Sequence, residues 1–332
     1  MTDWSKKKVV HGGGGKQQRE KTKKKVLDFS ASLNPLPPQV SWNCDQFFLE
    51  HYPDDNYTQL KETIANTFHR KSEEICVGNG SIELIRVFCD IVFQELETFY
   101  VESPTFGEYE YSANLNGAKK VGKIDEADVC FICNPNNPTG ILRSRHEMLN
   151  LIEIIDSHKG IFCADEAFIE LADPIQSLVN LPIDSVLVLR SLTKSFSVPG
   201  IRFGYGFGEP NFIEKMEAMR PPWSVNAYAE AFALQAFHRY QDLEQSRELI
   251  DRERVWLTDH LKALDLYVEP SSANFLLVQT KQKVDQLCKK LEKIDILVRD
   301  CSSFGLPSSI RIAVRTRDEN RILLEALSAC LR

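Results

Sequence analysis

Four short apolar runs, each ending abruptly in polar or turn-forming residues, constrain this chain more than any other feature. They are Thr98 to Glu102, Ala127 to Cys133, Gly160 to Ala164 and Val186 to Leu189. A short apolar run without alternation reads as a strand covered on both faces. Helical periodicity lies between them, for example over about 144–158. Strands alternating with helices predict βαβ units, hence an α/β fold with a mainly parallel central sheet flanked by helices. In such a sheet, ligands bind beyond the carboxyl ends of the strands. The residues that follow each run are therefore the candidates for chemistry.

Those ends are rich in polar groups. The second run leads into Asn134-Pro135-Asn136-Asn137-Pro138-Thr139-Gly140, and the third into Asp165-Glu166-Ala167-Phe168. The fourth leads into Arg190-Ser191-Leu192-Thr193-Lys194, with Arg202 eight residues beyond the lysine. Ile75-Cys76-Val77-Gly78 reads as a further strand, and Asn79-Gly80-Ser81 after it opens an apolar-periodic helix. Each has an ordinary reading alone. Lys194 could be a solvated loop lysine, Asp165 a helix cap, Asn137 a turn residue and Phe106 a core ring.

Together they have a chemical logic. A lysine amine can form an imine with an aldehyde cofactor when its site depresses its pKa. Pyridoxal phosphate works as an electron sink when its ring nitrogen stays protonated, and a buried carboxylate such as Asp165 favours that by charge pairing. Asn137 can hydrogen-bond the ring oxygen, and Phe106 can stack on the ring. Ser191, Thr193, Arg202 and the Gly80-Ser81 helix start can hold the phosphate. The expected catalytic pair is Lys194 and Asp165.

Past Arg220-Pro221-Pro222-Trp223-Ser224-Val225-Asn226 the pattern changes. Residues 227–264 read as a long helical stretch with a break. Ser272 to Gln279, Ile296 to Arg299 and Ile310 to Val314 read as strands, and about 281–292 and 317–330 as helices. This predicts a smaller α+β domain. The expected division is a large cofactor-binding domain over 46–229, with 1–45 and 230–332 forming an N-terminal arm and the small domain. Residues 4–25 carry eight lysines, including Lys6, Lys7 and Lys8, and read as a solvated, partly mobile arm. The run His11-Gly12-Gly13-Gly14-Gly15 within it can wrap an anion or act as a linker.

A net charge of −7 argues against nucleic acid as a partner. No apolar run approaches the roughly 20 residues of a membrane span, and no signal-peptide pattern follows the start, so a cytoplasmic location is expected. The nine cysteines are scattered among apolar residues, as reduced buried thiols are. Cys130 and Cys133 form a lone C-x-x-C with no second pair at zinc spacing, so no metal site is expected.

The strand-end motifs, taken with Ser191 to Arg202, resemble the fold-type I, aspartate-aminotransferase-like enzymes that use pyridoxal phosphate, over essentially the whole chain. Within that group the chain looks most like the threonine-phosphate decarboxylases of cobalamin synthesis, with the histidinol-phosphate aminotransferases second. The stretches that carry this are His11-Gly12-Gly13, Asp28-Phe29-Ser30-Ala31 with Asn34-Pro35-Leu36, Leu189 to Lys194, Pro222 to Ala227, and Ala273-Asn274-Phe275-Leu276-Leu277. Phe168 also fits, since the aminotransferases usually have Tyr there. Gly14 and Ser32 depart from the usual Asn at each position. The resemblance implies that Arg311 holds the substrate carboxylate, that Arg299 holds the substrate phosphate, and that His11 and Asn34 line the substrate end. It implies a homodimer in which Tyr52 reaches the neighbour's cofactor phosphate. The implied reaction is decarboxylation of L-threonine O-3-phosphate to (R)-1-amino-2-propanol O-phosphate. The alternative is an aminotransferase acting on histidinol phosphate or another amino acid. A non-catalytic, effector-sensing module of a transcription regulator would need a DNA-binding domain, for which the N-terminus lacks the length.

Overall fold

The computed structural model describes residues 9–181, 184–281 and 283–331. Lys6, Lys7 and Lys8 lie outside them. The apolar runs form a seven-stranded sheet in the order Ile75–Gly78, Gly204–Phe207, Val186–Ser191, Ile161–Asp165, Val129–Cys133, Thr98–Val101 and Lys119–Lys120. All five residues of Val129–Cys133 and all six of Val186–Ser191 are buried, as strands covered on both faces must be. Alternate residues serve two cores. Cys130, Ile132, Phe162 and Val188 face one layer, and Val129, Phe131, Cys163 and Leu189 face the other. Burying side chains such as Phe131 or Leu189 stabilises the fold by roughly 1.5–3 kcal/mol each. The same alternation puts Cys130 and Cys133 in opposite layers. All nine cysteines are free thiols.

Gly204–Phe207 is a strand that the apolar pattern does not announce, and it runs antiparallel to both neighbours. Its cause is how the connection from Ser191 is used. A parallel return needs a crossover of about a dozen residues or more that travels the length of the sheet, usually as a helix. Here the four-residue helix Leu192–Ser195 and a Pro-Gly turn bring the chain straight back, so Ser191 pairs with Gly204.

The long helical stretch divides into Ala227–His238 and Leu243–Ala263, broken at Tyr240–Asp242. Beyond it lies a four-stranded antiparallel sheet in the order Arg299–Asp300, Ser309–Ala313, Phe275–Gln279 and Tyr267–Val268. It has its own core, built from Leu276, Ile310 and Ile312 with Val284 and Leu287 of one helix and Leu323 and Leu327 of another. The expected single strand from Ile296 to Arg299 is split. Ile296–Leu297 pairs in parallel with Leu27–Asp28, and Arg299–Asp300 pairs with Ser309–Ala313. In the arm, Lys16, Lys21, Lys23, Lys24 and Lys25 are exposed, as expected of a solvated segment, but part of the backbone is helical and docked. Gly15–Thr22 is a helix, docked by Gln18, whose amide donates to the Glu292 carbonyl and to Asp295. Among the described residues, no helix is long and apolar enough to cross a membrane.

Candidate active site

Parallel register places the carboxyl ends side by side. Cys133 pairs with Asp165, and Asp165 with Leu189, so the Asn137 loop, Asp165 and Lys194 open into one space. That space is a cavity of about 730 Å³, walled by both sheets and closed on one side by Val9 to Gly13.

Lys194 stands in the short helix that follows the Val186–Ser191 strand. Burial pulls its ammonium down to about 8, and the charges of Arg311 and Arg202 act the same way, while Asp165 opposes them. Its Nζ lies 5.9 Å from the centre of the Phe168 ring. Asp165 ends its strand with each oxygen occupied by one donor. Tyr109 donates its hydroxyl to Oδ2 at 2.7 Å, and the Ala167 N–H donates to Oδ1 at 2.9 Å. Burial raises the Asp165 pKa, and those hydrogen bonds and the Lys194 charge oppose the rise. Asn137 accepts from Arg311 Nη1, a bond that ties the two sheets across the cavity.

At one end the helix Ser81–Val92 begins at Gly80, which has φ +82°. A Cβ on Gly80 would come within 2.6 Å of Arg202 Nη2, so only glycine lets this guanidinium lie against the helix start. A Cβ on Gly204 would meet the Ser81 nitrogen at 2.2 Å. Close by, the buried Thr193 Oγ1 has no partner among the described residues, and Ser191 Oγ accepts the Thr193 N–H at 3.3 Å. A helix N-terminus, a guanidinium and an unengaged hydroxyl make a fitting seat for a phosphate. The expected pyridoxal phosphate fits these residues.

At the other end Arg299 donates through Nη2 to the Val10 carbonyl at 2.6 Å and to Ser303 Oγ at 2.7 Å. Arg311 donates through Nη2 to the Ser30 carbonyl at 2.9 Å, and burial holds its pKa down to about 10. His11 Nε2 lies 3.0 Å from Glu108, which is also paired with Arg86 at 2.7 Å. The glycine run is neither a free anion loop nor a loose linker. The Gly13 N–H donates to Ser30 Oγ and the Gly15 N–H to Asp28. A Cβ on Gly12 would sit 2.4 Å from the Ser30 carbonyl oxygen, so the run is small because it packs on Asp28 to Ser30.

The cavity thus gathers His11, Ser81, Phe106, Asn137, Asp165, Ser191, Thr193, Lys194, Arg202, Arg299 and Arg311, with Gly80 backing Arg202. Two expected residues are elsewhere. Asn34 is not a wall of the cavity. Its buried amide donates to the Ser195 carbonyl at 2.7 Å and to Ser246 Oγ at 2.9 Å, and its N–H donates to the Lys194 carbonyl at 3.0 Å. It anchors the lysine segment and has no NH left for a substrate. Tyr52 is 79% exposed and packs against Trp223 with ring centroids 4.5 Å apart and tilted by 30°, outside this chain's own cavity. Ser32, noted in the sequence as a departure from the usual Asn, is buried in the cavity with its hydroxyl unpartnered among the described residues, and Tyr109, which the sequence reading did not assign, holds Asp165. The spacing of Tyr109, three residues after Phe106 at a helix start, was the available signal.

Behind the site lies a buried ion network. Arg190 reaches Glu166 at 3.0 Å, Glu170 at 2.8 Å and Ser177 at 2.7 Å, and Tyr205 donates to Glu170 at 3.0 Å. It joins the residues next to Asp165 and Ser191, so it braces both strand ends from the far face.

Residues 48–327 match the family described as aminotransferase class I and II. A protein of Caldanaerobacter subterraneus subsp. tengcongensis, named "Putative threonine-phosphate decarboxylase", is 37% identical, covering 90% of this chain and 88% of that one. The structure of histidinol-phosphate aminotransferase from Clostridium acetobutylicum superposes with a TM-score of 0.81 at 30% identity, covering 92% of this chain and 98% of that one. The structure of histidinol-phosphate aminotransferase from Sinorhizobium meliloti in complex with pyridoxal-5'-phosphate has a TM-score of 0.83 at 18% identity. It covers 97% of this chain and 95% of that one, and it bears on the fold alone.

Proposed function

The chain belongs to the aminotransferase class I and II family, and from that premise we propose that it decarboxylates L-threonine O-3-phosphate to (R)-1-amino-2-propanol O-phosphate and CO₂, for cobalamin synthesis. Its cofactor is pyridoxal phosphate, as its family membership implies. When bound, that molecule supplies an electron sink for the pair left when a bond at the substrate α-carbon breaks. Lys194 would hold it through Nζ, Asp165 would face its ring nitrogen, and Phe106 would cover one ring face. Ser81, Ser191, Thr193 and Arg202 would hold its phosphate.

One observation carries the choice of substrate. Arg202, Arg299 and Arg311 face the same cavity, and among the described residues their hydrogen bonds go to carbonyls, a hydroxyl and an amide, with none to a carboxylate. With Arg202 on the cofactor phosphate, two arginines stay open to anions. A substrate carrying both an α-carboxylate and a phosphate engages Arg311 and Arg299 at once. Histidinol phosphate itself has no carboxylate for Arg311, whereas the 2-oxoglutarate that an aminotransferase must also bind has one, so the arginine pair supports a doubly anionic substrate and the release of CO₂ separates the two reactions.

Arg311, fixed by Asn137 and Ser30, sets where the carboxylate lies. By orienting the substrate's carboxylate, Arg311 would decide which bond at the α-carbon is held ready for cleavage when the cofactor is bound. Lys194, with its pKa drawn down to about 8, can be either amine or ammonium near neutral pH, and its ammonium form would return a proton to the α-carbon once CO₂ has left. Phe168 offers no hydroxyl, which leaves Asn137 as the amide donor for the ring oxygen.

A homodimer completes the proposal. Tyr52 packs against Trp223, Trp42 packs edge-on against Tyr228, and all four are more than a third exposed. An exposed aromatic patch of this kind suits a second copy, in whose cofactor site Tyr52 would end.

The test is incubation of the cofactor-loaded protein with L-threonine O-3-phosphate and measurement of CO₂. Stoichiometric CO₂ is expected. No CO₂, with 2-oxoglutarate-dependent turnover of histidinol phosphate, would make the protein an aminotransferase instead.

A further inference from the structure

We propose that Tyr109 is a positioning residue for the cofactor: through one hydrogen bond it aims Asp165, and through its ring it braces Phe106. The inference rests on the reading of Asp165 as the partner of the ring nitrogen.

The geometry is specific to a tyrosine. Tyr109 is 1% exposed, and its ring stacks on Phe131 at 5.5 Å with an interplanar angle of 11°. It meets Phe106 edge-on at 5.5 Å and 78°. A phenylalanine would make both ring contacts, so packing alone gives no reason for a hydroxyl at a site this dry. The hydroxyl points at Asp165 Oδ2, 2.7 Å away. It is the side-chain donor to this carboxylate among the described residues; the other donor is the Ala167 N–H, fixed by the backbone.

Two protein hydrogen bonds hold a carboxylate's plane and favour its ionised form. Burial works against that form, and the Tyr109 bond is the largest influence opposing burial. Burial and the Asp165 charge push the tyrosine's own pKa well up, so it remains a donor throughout the working pH range. One side chain therefore touches both groups expected against the cofactor ring, at its nitrogen edge and at one face.

The experiment is a double-mutant cycle of Tyr109→Phe and Asp165→Asn, read without turnover. One measurement is the dissociation constant of pyridoxal phosphate from the apoprotein. The other is the ¹⁵N chemical shift of ring-labelled cofactor bound to each variant. Tyr109→Phe is expected to weaken binding by about tenfold, as the loss of one charge-assisted hydrogen bond does, and to move the ¹⁵N shift towards the unprotonated value. On the Asp165→Asn background the same substitution should change neither quantity. An unchanged ¹⁵N shift in Tyr109→Phe, or an equal loss of affinity on both backgrounds, overturns the inference and leaves Asp165 its role. If Asp165→Asn itself moves neither quantity, the reading of Asp165 fails and takes the inference with it.

Discussion

In the apoprotein, Lys194 should lose its proton near pH 8 rather than at the ordinary 10.5. At pH 7 about a tenth of such an amine is neutral, against about one part in three thousand for an ordinary lysine. That difference is what readies it to attack an aldehyde. The causes can be separated by substitution. Arg202→Gln removes a positive neighbour and should move the midpoint up. Asp165→Asn removes the one opposing negative charge and should move it down. Neither should restore the ordinary value, because burial is the largest cause. The assay is competitive acylation of apoprotein with limiting acetic anhydride across pH 6 to 11, with the Lys194 peptide quantified by mass spectrometry against surface lysines of the same sample. A wild-type midpoint near 10, or shifts of the opposite sign in the two variants, would refute this account of the lysine's reactivity.

The same lowered pKa ties stability to pH. The unfolded chain keeps the Lys194 proton up to about pH 10.5 and the native chain only to about 8, so stability should rise with pH between these values. Lys194→Met should therefore stabilise the apoprotein at pH 7 by about 2–3 kcal/mol in urea denaturation, a gain that fades towards pH 10.5. Arg190→Met leaves Glu166 and Glu170 buried without their cation, and should cost about 3–5 kcal/mol in the same assay. Gly204→Ala drives a Cβ to 2.2 Å from the Ser81 nitrogen and should weaken cofactor binding by about tenfold or more, measured by equilibrium dialysis.

What the sequence makes legible here is what the chain fixes locally. Asp165 and Lys194 are readable because each follows a buried strand, and a parallel sheet brings such ends to one edge. Gly80-Ser81 is readable for the same reason, since a strand, a glycine and a helix start are consecutive. Asn34 is misread because its amide answers to Ser195 and Ser246, 161 and 212 residues away, and no local pattern encodes those partners. Tyr109 escapes because its partner Asp165 lies 56 residues on. The split at Val298 escapes because pairing with Leu27–Asp28, far earlier in the chain, claims half of what looks like one strand. The two halves of the site differ in the same way. The proposed cofactor seat is made of turns at strand ends, whereas the proposed substrate seat is assembled from the arm, the small sheet and the Arg311–Asn137 bond, 174 residues apart. On the proposed reading, which bond breaks at the α-carbon would depend on where Arg311 holds the carboxylate, and so on long-range contacts. A motif can therefore announce the cofactor while leaving the reaction to be decided by packing.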